Sequence, residues 1–528
     1  MAARRACTLA VVWAALSALL LAGARAPLAR AEIAGFEPEY RTRPPLSPPR
    51  KRAWEREHGG REAAREALWR RLEGWPSVLL ADRDALLALS DQALLDRIAR
   101  DTWRGLAALT DREHGLPMNH VLFPKGSLAP LHSQIGDYAS TTDIGVWMVA
   151  VVAAHDLALI GREEALARLR RTLDSLDELE KIRGFFFNYY DTTTLERTSD
   201  FVSFVDSAWL ASGLMVARQA FPELAKRCGA MLARRDFGHF YDRRERLMVH
   251  GFYVDPLRRS PYHYGMLYAE SRLGSLVAIG KGDVPASHWE AMTRVERWSR
   301  NGQRELERPT RGARAGGRFV PPQRTVSGYF EWKGYRFVPS WGGSMFEALM
   351  PMLLVDELRL APYGLGPNAR VHVAVQQRYA LDHLGYPVWG MSPSWRPDGS
   401  GYQEYGVRVL GVAGYPGQAV TPHASALALM VDPVAAIANL RELIRRYPIY
   451  GDFGFYDSVA PQTGEVAQAY LVLDQAMILV ALANHLAGGA IQQRFAADPI
   501  ARRALSLLAE ERFPNSGPHL PNEAPRAR

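Results

Sequence analysis

Cysteine is nearly absent: 528 residues contain two, Cys7 and Cys228. Cys7 lies in a leader-like N-terminus, which excludes a disulfide within the mature chain. With no CxxC pair, and with His239, His250, His263, His383 and His423 far apart in sequence, no zinc-ligand spacing is present. No metal and no cofactor is expected. GxGxxG and GxxxxGK[ST] loops are missing, as are alternating βαβ units, which argues against a nucleotide-binding α/β fold. Ser344 stands in Trp341-Gly342-Gly343-Ser344 and not in a G-x-S-x-G elbow, which argues against a serine hydrolase. Long blocks of one charge are also lacking. The formal charge is +8, but Arg4, Arg5, Arg25 and Arg30 fall in residues 1–31 without an acid, leaving 8 − 4 = +4 over mixed-sign segments. A nucleic-acid partner is not expected.

An apolar run from Leu9 to Ala24 follows Arg4-Arg5, and small-residue sites follow at Ala24-Arg25-Ala26 and Ala29-Arg30-Ala31. This pattern predicts a signal peptide over 1–31, cleaved after Ala31, because Pro27 would sit just behind the first site. The run is shorter than the roughly 20 residues of a membrane span, and no later segment reaches that length without Gly, Pro or charge. The expectation is a periplasmic or secreted monomer with no stable span after cleavage. Residues 32–53, rich in Pro and Arg, read as a linker, 54–515 as one domain and 516–528 as a disordered tail.

At 48% hydrophobic and 23% charged, the chain is too apolar for a disordered protein. Apolar residues at three- and four-residue spacing predict helices over about 82–108, 140–160, 162–180, 201–220, 261–279, 366–384, 433–446 and 466–487, among others. Between them run long aromatic, Gly-rich loops such as 183–200, 237–259, 386–417 and 447–465. No clear internal repeat is visible. The pattern points to a single all-α body whose loops build a site at one end.

Acids among apolar neighbours mark the candidate chemistry, because burying an unpaired carboxylate is costly. In a helix opened by Ser260 as N-cap and Pro261 at N1, Leu267, Glu270, Leu273 and Val277 would share one face. Desolvation there would raise the pKa of Glu270, as a general acid requires; a buried Glu paired with an Arg such as Arg272 is the structural alternative. Asp206 (between Val202 and Trp209) and Asp474 (between Leu471 and Met477) are placed similarly. Ser140-Thr141-Thr142-Asp143 matches a capping box. Asp457 lies in the aromatic loop Tyr450-Gly451-Asp452-Phe453-Gly454-Phe455-Tyr456-Asp457, either facing a ligand or making a local turn bond. Several acids beside aromatic loops suggest polysaccharide chemistry.

The segment Tyr262-His263-Tyr264-Gly265-Met266-Leu267-Tyr268-Ala269-Glu270-Ser271-Arg272-Leu273 resembles the glycoamylase-like domain of bacterial endo-β-1,2-glucanases and cyclic β-1,2-glucan synthases. The resemblance continues in order through Ser340-Trp341-Gly342-Gly343-Ser344-Met345-Phe346-Glu347, Trp389-Gly390-Met391-Ser392 and Thr421-Pro422-His423-Ala424-Ser425. It then runs through Gly454-Phe455-Tyr456-Asp457 and Tyr470-Leu471-Val472-Leu473-Asp474-Gln475, and covers about 135–487. It implies an (α/α)6 toroid and an exported hydrolase acting inside β-1,2-glucan or a related β-glucan, without cofactor. Glu270 would be the general acid and Asp457 the general base of an inverting reaction. Asp143, Asp191, Asp206, Tyr264, Arg272, Tyr329, Trp341, Glu347, Trp389, Tyr402, His423, Tyr456, Asp474 and Gln475 would bind substrate. A retaining transglycosylase and a non-catalytic glucan-binding protein are the alternatives on the same fold. The chain departs from the resemblance at Met391-Ser392-Pro393-Ser394-Trp395-Arg396, at Ala476, and at Asp143, where the synthases carry Asn.

Overall fold

The computed structural model describes residues 48–518 except 256, 296–312, 316–317, 321–323 and 326–327. The expected signal peptide, the linker up to residue 47 and the last ten residues of the expected tail lie outside the described residues. The end of the linker is a correction: Pro49–Glu57 is a helix, α1, opened by a proline near its N-terminus, where the missing N–H is no loss. Its Lys51 is buried, with Nζ on Asp137 and 3.1 Å from Asp191. At the other end Ser516 pairs with Arg336 through two backbone hydrogen bonds, so the body extends past 515.

The helices alternate between an outer and an inner layer. The outer ones are α2 (Asp91–Ala108), α4 (Arg162–Glu178), α6 (Ala225–Ala233), α9 (Leu365–Arg378) and α11 (Pro433–Arg446). The inner ones are α3 (Thr141–Asp156), α5 (Phe204–Ala220), α7 (Arg272–Lys281), α8 (Met345–Leu349), α10 (Pro422–Ala428) and α12 (Val472–Leu486). Among the described residues between α7 and α8 the chain carries a five-residue helix, Ser287–Ala291. Outer helices such as α4 and α11 keep a polar face, whereas α3 is buried from Thr141 through Ala154 and α12 from Asp474 through Asn484. Being apolar all round is what a helix surrounded by other helices requires.

The inner helices close a ring. α3 packs on α5 and α12, α5 on α7, and α10 on α8 and α12. The remaining step is made by Arg272 at the start of α7, whose guanidinium donates to the Glu347 and Ala348 carbonyls of α8. This is the (α/α)6 toroid. α3 and α5 approach so closely that a Cβ on Gly145 would lie 2.5 Å from the Trp209 carbonyl, and one on Gly213 2.5 Å from that of Gly145. Among the described residues no single helix is long and apolar enough to cross a membrane.

A repeat not visible in the sequence appears where the inner helices begin. The first amide of a helix needs a partner outside its own turns, and in four of the six it finds one in the chain segment ahead of a neighbouring inner helix. Thr141 N donates to Asn188 O, Phe204 N to His250 O, Met345 N to Met391 O, and Val472 N to Asn119 O. The last of these hands the sixth unit back to the first and closes the circle.

Candidate active site

The third residue of four inner helices is an acid: Asp143, Asp206, Glu347 and Asp474. An anion is favoured there because the free N–H groups of the first turn point at it. Two of the acids complete capping boxes. Asp143 takes Ser140 N at 2.8 Å while Ser140 Oγ takes Asp143 N, as the S-x-x-D spacing predicts. Glu347 accepts from Ser340 Oγ, Gly342 N and Ser344 N at 2.9–3.1 Å. Its carboxyl is thus used within the protein. Burial, with Glu270 nearby, pushes its pKa up to about 7.

The structure corrects the setting of Glu270. Residues 260–271 are not helical: Arg258–Arg259 and His263–Tyr264 pair with Phe252–Tyr253 and Met248–Val249, and the helix begins only at Arg272. Backbone pairing with strands distant in sequence overrides the helical spacing. Glu270 sits instead in the turn before α7, half-buried at the mouth of the ring. Arg272, expected to touch substrate, has no exposure. It is held bidentately by Glu357 (2.7 and 3.0 Å) and bonds three backbone carbonyls. It fixes the ends of the turn that carries Glu270.

Asp457 follows the hairpin Tyr450–Gly451/Gly454–Phe455, whose turn brings Gly454 to φ +90°, with Thr102 behind it. Only 2% exposed, Asp457 accepts the Trp395 amide on Oδ2 at 2.5 Å, and its carboxyl lies against that of Asp474. His423 Nδ1 is 3.3 Å from Asp474 Oδ2, outside hydrogen-bond geometry. Burial lowers the pKa of His423 to about 3, so it brings no charge. The pKa of Asp457 rises to about 6 through burial, opposed by hydrogen bonds from Asp474 and Trp395. That of Asp474 is driven well above the usual range by burial and by the charges of Asp457 and Asp143. Asp143 itself reaches about 6 through burial, despite hydrogen bonds from Asn119 and Ser140.

Among the described residues, four buried polar atoms around this pair have no hydrogen-bond partner in the protein, Ser394 Oγ, Trp395 Nε1, His423 Nδ1 and Gln475 Oε1, and Asp457 Oδ1 and Asp474 Oδ2 have none beyond what the two carboxyls give each other. Buried polar groups are normally satisfied, so such a concentration marks a receptor for a polar ligand. The histidine and two acids lie within 4.8 Å of one another. Asp457 already takes the Trp395 amide and pairs with Asp474, an arrangement that fits a shared proton better than a bound cation.

The remaining expected residues divide. Asp206 is half-buried, with Oδ1 taking Thr142 Oγ1 at 2.6 Å, and adjoins Asp143. Gln475 donates to the Phe455 carbonyl and leaves Oε1 over. Tyr264, Trp341 and Tyr402 keep exposed ring surface. Three others serve the framework, whereas Tyr329 is half-buried beside an exposed arginine. Asp191 is held by Lys51 and by Thr193 and Thr194. Trp389, 3% exposed, is core and bonded through its backbone to Asn439. Tyr456 is core, with its hydroxyl on the Leu79 carbonyl. Tyr329 carries the Arg336 guanidinium 4.6 Å from its ring. Sequence reasoning missed Asn119, His120 and the contact of Trp395 with Asp457. Trp395 leans on His120, with ring centroids 4.5 Å apart. The segment Met391–Arg396, where the chain departs from the resemblance, was the signal for it.

Residues 324–499 match the Glycoamylase family model. The chain is 26% identical, over 83% of its length, to the cyclic β-(1,2)-glucan synthase NdvB of Rhizobium meliloti (strain 1021), and spans 19% of that relative's length. Among solved structures it is similar to the endo-β-1,2-glucanase of Chitinophaga pinensis in complex with sophorotriose and glucose (16% identity, TM-score 0.59, 80% of this chain and 99% of that one). It is also similar to the β-1,2-glucanase of Parabacteroides distasonis (18%, TM-score 0.61, 80% and 60%). A third likeness is the endo-β-1,2-glucanase of Talaromyces funiculosus, a mutant with β-1,2-glucan bound (11%, TM-score 0.60, 81% and 91%). In sequence motifs and in fold, the chain resembles the glycoamylase-like family of endo-β-1,2-glucanases and cyclic β-1,2-glucan synthases.

Proposed function

We propose that this protein is an exported, endo-acting hydrolase of β-1,2-glucan that inverts the anomeric centre. The reading rests on the cluster of unpartnered polar atoms around Asp457, set at the same end of the ring as the half-buried Glu270. A sugar offers hydroxyls to such atoms and ring faces to the half-buried Trp341 and Trp395 and the exposed Tyr402. The family resemblance supplies the linkage. Glu270 gives its proton to the leaving glycosidic oxygen as the bond to the anomeric carbon breaks. Water adds to that carbon from the opposite face, and its proton passes to Asp457, directly or through a substrate hydroxyl. Asp457 must start ionised, and the hydrogen bonds from Trp395 and Asp474 favour that form.

The match to a synthase favours one second reading, transglycosylation, in which a sugar hydroxyl replaces water as acceptor. Incubating residues 32–528 with linear β-1,2-glucan and following product size separates the two. Short oligosaccharides made by wild type and not by Glu270→Gln are expected. Longer or cyclic products would support transfer, and an unchanged polymer would reject both.

A further inference from the structure

The ring repeat places Asn119, Asn188, His250 and Met391 at equivalent positions, each accepting from the first amide of a neighbouring inner helix. Asp457 occupies the corresponding place in the sixth unit, after its hairpin and ahead of α12. In the first unit Asn119 Nδ2 donates to the third-position acid Asp143 at 2.9 Å. In the sixth the same two positions hold Asp457 and Asp474, and a carboxylate has no hydrogen to offer. Among the described residues, no element packed on the pair supplies a compensating cation. α10 presents the neutral His423, α3 presents Asp143 with Asp206 beyond it, the strand His120–Leu122 presents His120, and the 394–395 segment presents Ser394 and Trp395. Burial lowers the pKa of His120 to about 4, so it too is neutral.

We propose that Asp474 is the positioning residue of this site: it keeps a proton at neutral pH and donates it in a hydrogen bond to the ionised Asp457, replacing the amide–carboxylate pair of the first unit. With the Trp395 amide on the other side, this bond orients Asp457 toward the reacting water. The inference rests on Asp457 being the base, and its test is chosen to survive the failure of that reading.

Asp474→Asn still donates a hydrogen bond but cannot titrate, whereas Asp474→Leu has similar size and donates nothing. On linear β-1,2-glucan, the Asn variant is expected to keep kcat within about tenfold. The Leu variant should lose about 100-fold or more in kcat with little change in KM. A merely structural Asp474 would not give this split. The thermal midpoint supplies a readout that needs no substrate. A shared proton stabilises the fold below the ordinary carboxylate range and is lost as pH rises through the folded pKa values. The wild-type midpoint should therefore fall more steeply with rising pH than that of Asp474→Asn, or than that of Asp457→Asn should the first variant not fold. Equal slopes in all three would overturn the proposal. So would a midpoint raised by Ca²⁺, Mn²⁺ or Zn²⁺ in wild type but not in Asp474→Asn, since a cation and not a proton would then join the pair. If no protein turns over glucan, the proposed function fails while the slopes still decide this inference.

Discussion

Asn119 donates to Asp143 at 2.9 Å, while Asp457 meets Asp474 at the neighbouring position of the same ring. One unit uses an amide to satisfy a carboxylate, and the next sets two carboxyls together in a buried place. Such a pair holds one proton more stably than none or two.

Asp457→Asn rebuilds the amide–carboxylate pair of the first unit. It should leave the thermal midpoint at or above that of wild type, while turnover falls by about 10²–10⁴-fold through loss of the base. Differential scanning calorimetry and a reducing-sugar assay on the same preparation check both halves.

Glu270→Gln should abolish most turnover, by about the same factor, with little effect on stability, since the residue sits half-buried in a turn. An activated substrate whose leaving group needs no proton should recover much of the lost rate. Near-wild-type hydrolysis of the natural polymer would remove Glu270 from the acid role.

The Arg272–Glu357 pair has no exposure and ties the Glu270 turn to α8. Removing one partner strands the other charge, so Glu357→Gln should cost about 3–5 kcal/mol. Arg272→Lys should be damaging too, because an ammonium cannot reproduce the bidentate bond. Denaturant unfolding measures the cost.

Asp143 has a folded pKa raised to about 6. Its contribution is therefore present below the ordinary carboxylate range, near pH 4, and is lost as pH rises through about 6. Asp143→Asn can still accept both donors on one oxygen, so the fold should survive. The fall in midpoint between about pH 4 and pH 7 should become shallower than in wild type.

Much of this was legible in sequence because the determinants are local. Ser140 and Asp143 announce a capping box by spacing, and the motif order from Glu270 to Asp474 carries the toroid. What was hidden depends on distant partners. Glu270 reads as helical until Met248–Val249 takes His263–Tyr264 into a strand pair. Arg272 resembles a substrate ligand until Glu357 is seen against it. Lys51 looks like part of a solvated linker, yet Asp137 and Asp191 draw it inside. The repeat escaped notice because it lies in hydrogen-bond positions and one recurring acid, separated by loops of unequal length and unrelated composition.

The most direct test of the central claim is to follow the reaction of wild-type protein with linear β-1,2-glucan by proton NMR and read the anomer of the first-formed reducing end. Glu270 as acid and Asp457 as base of a single displacement predict the α-anomer, appearing before mutarotation. A β-anomer at the earliest times, or polymer that stays intact, would contradict that account.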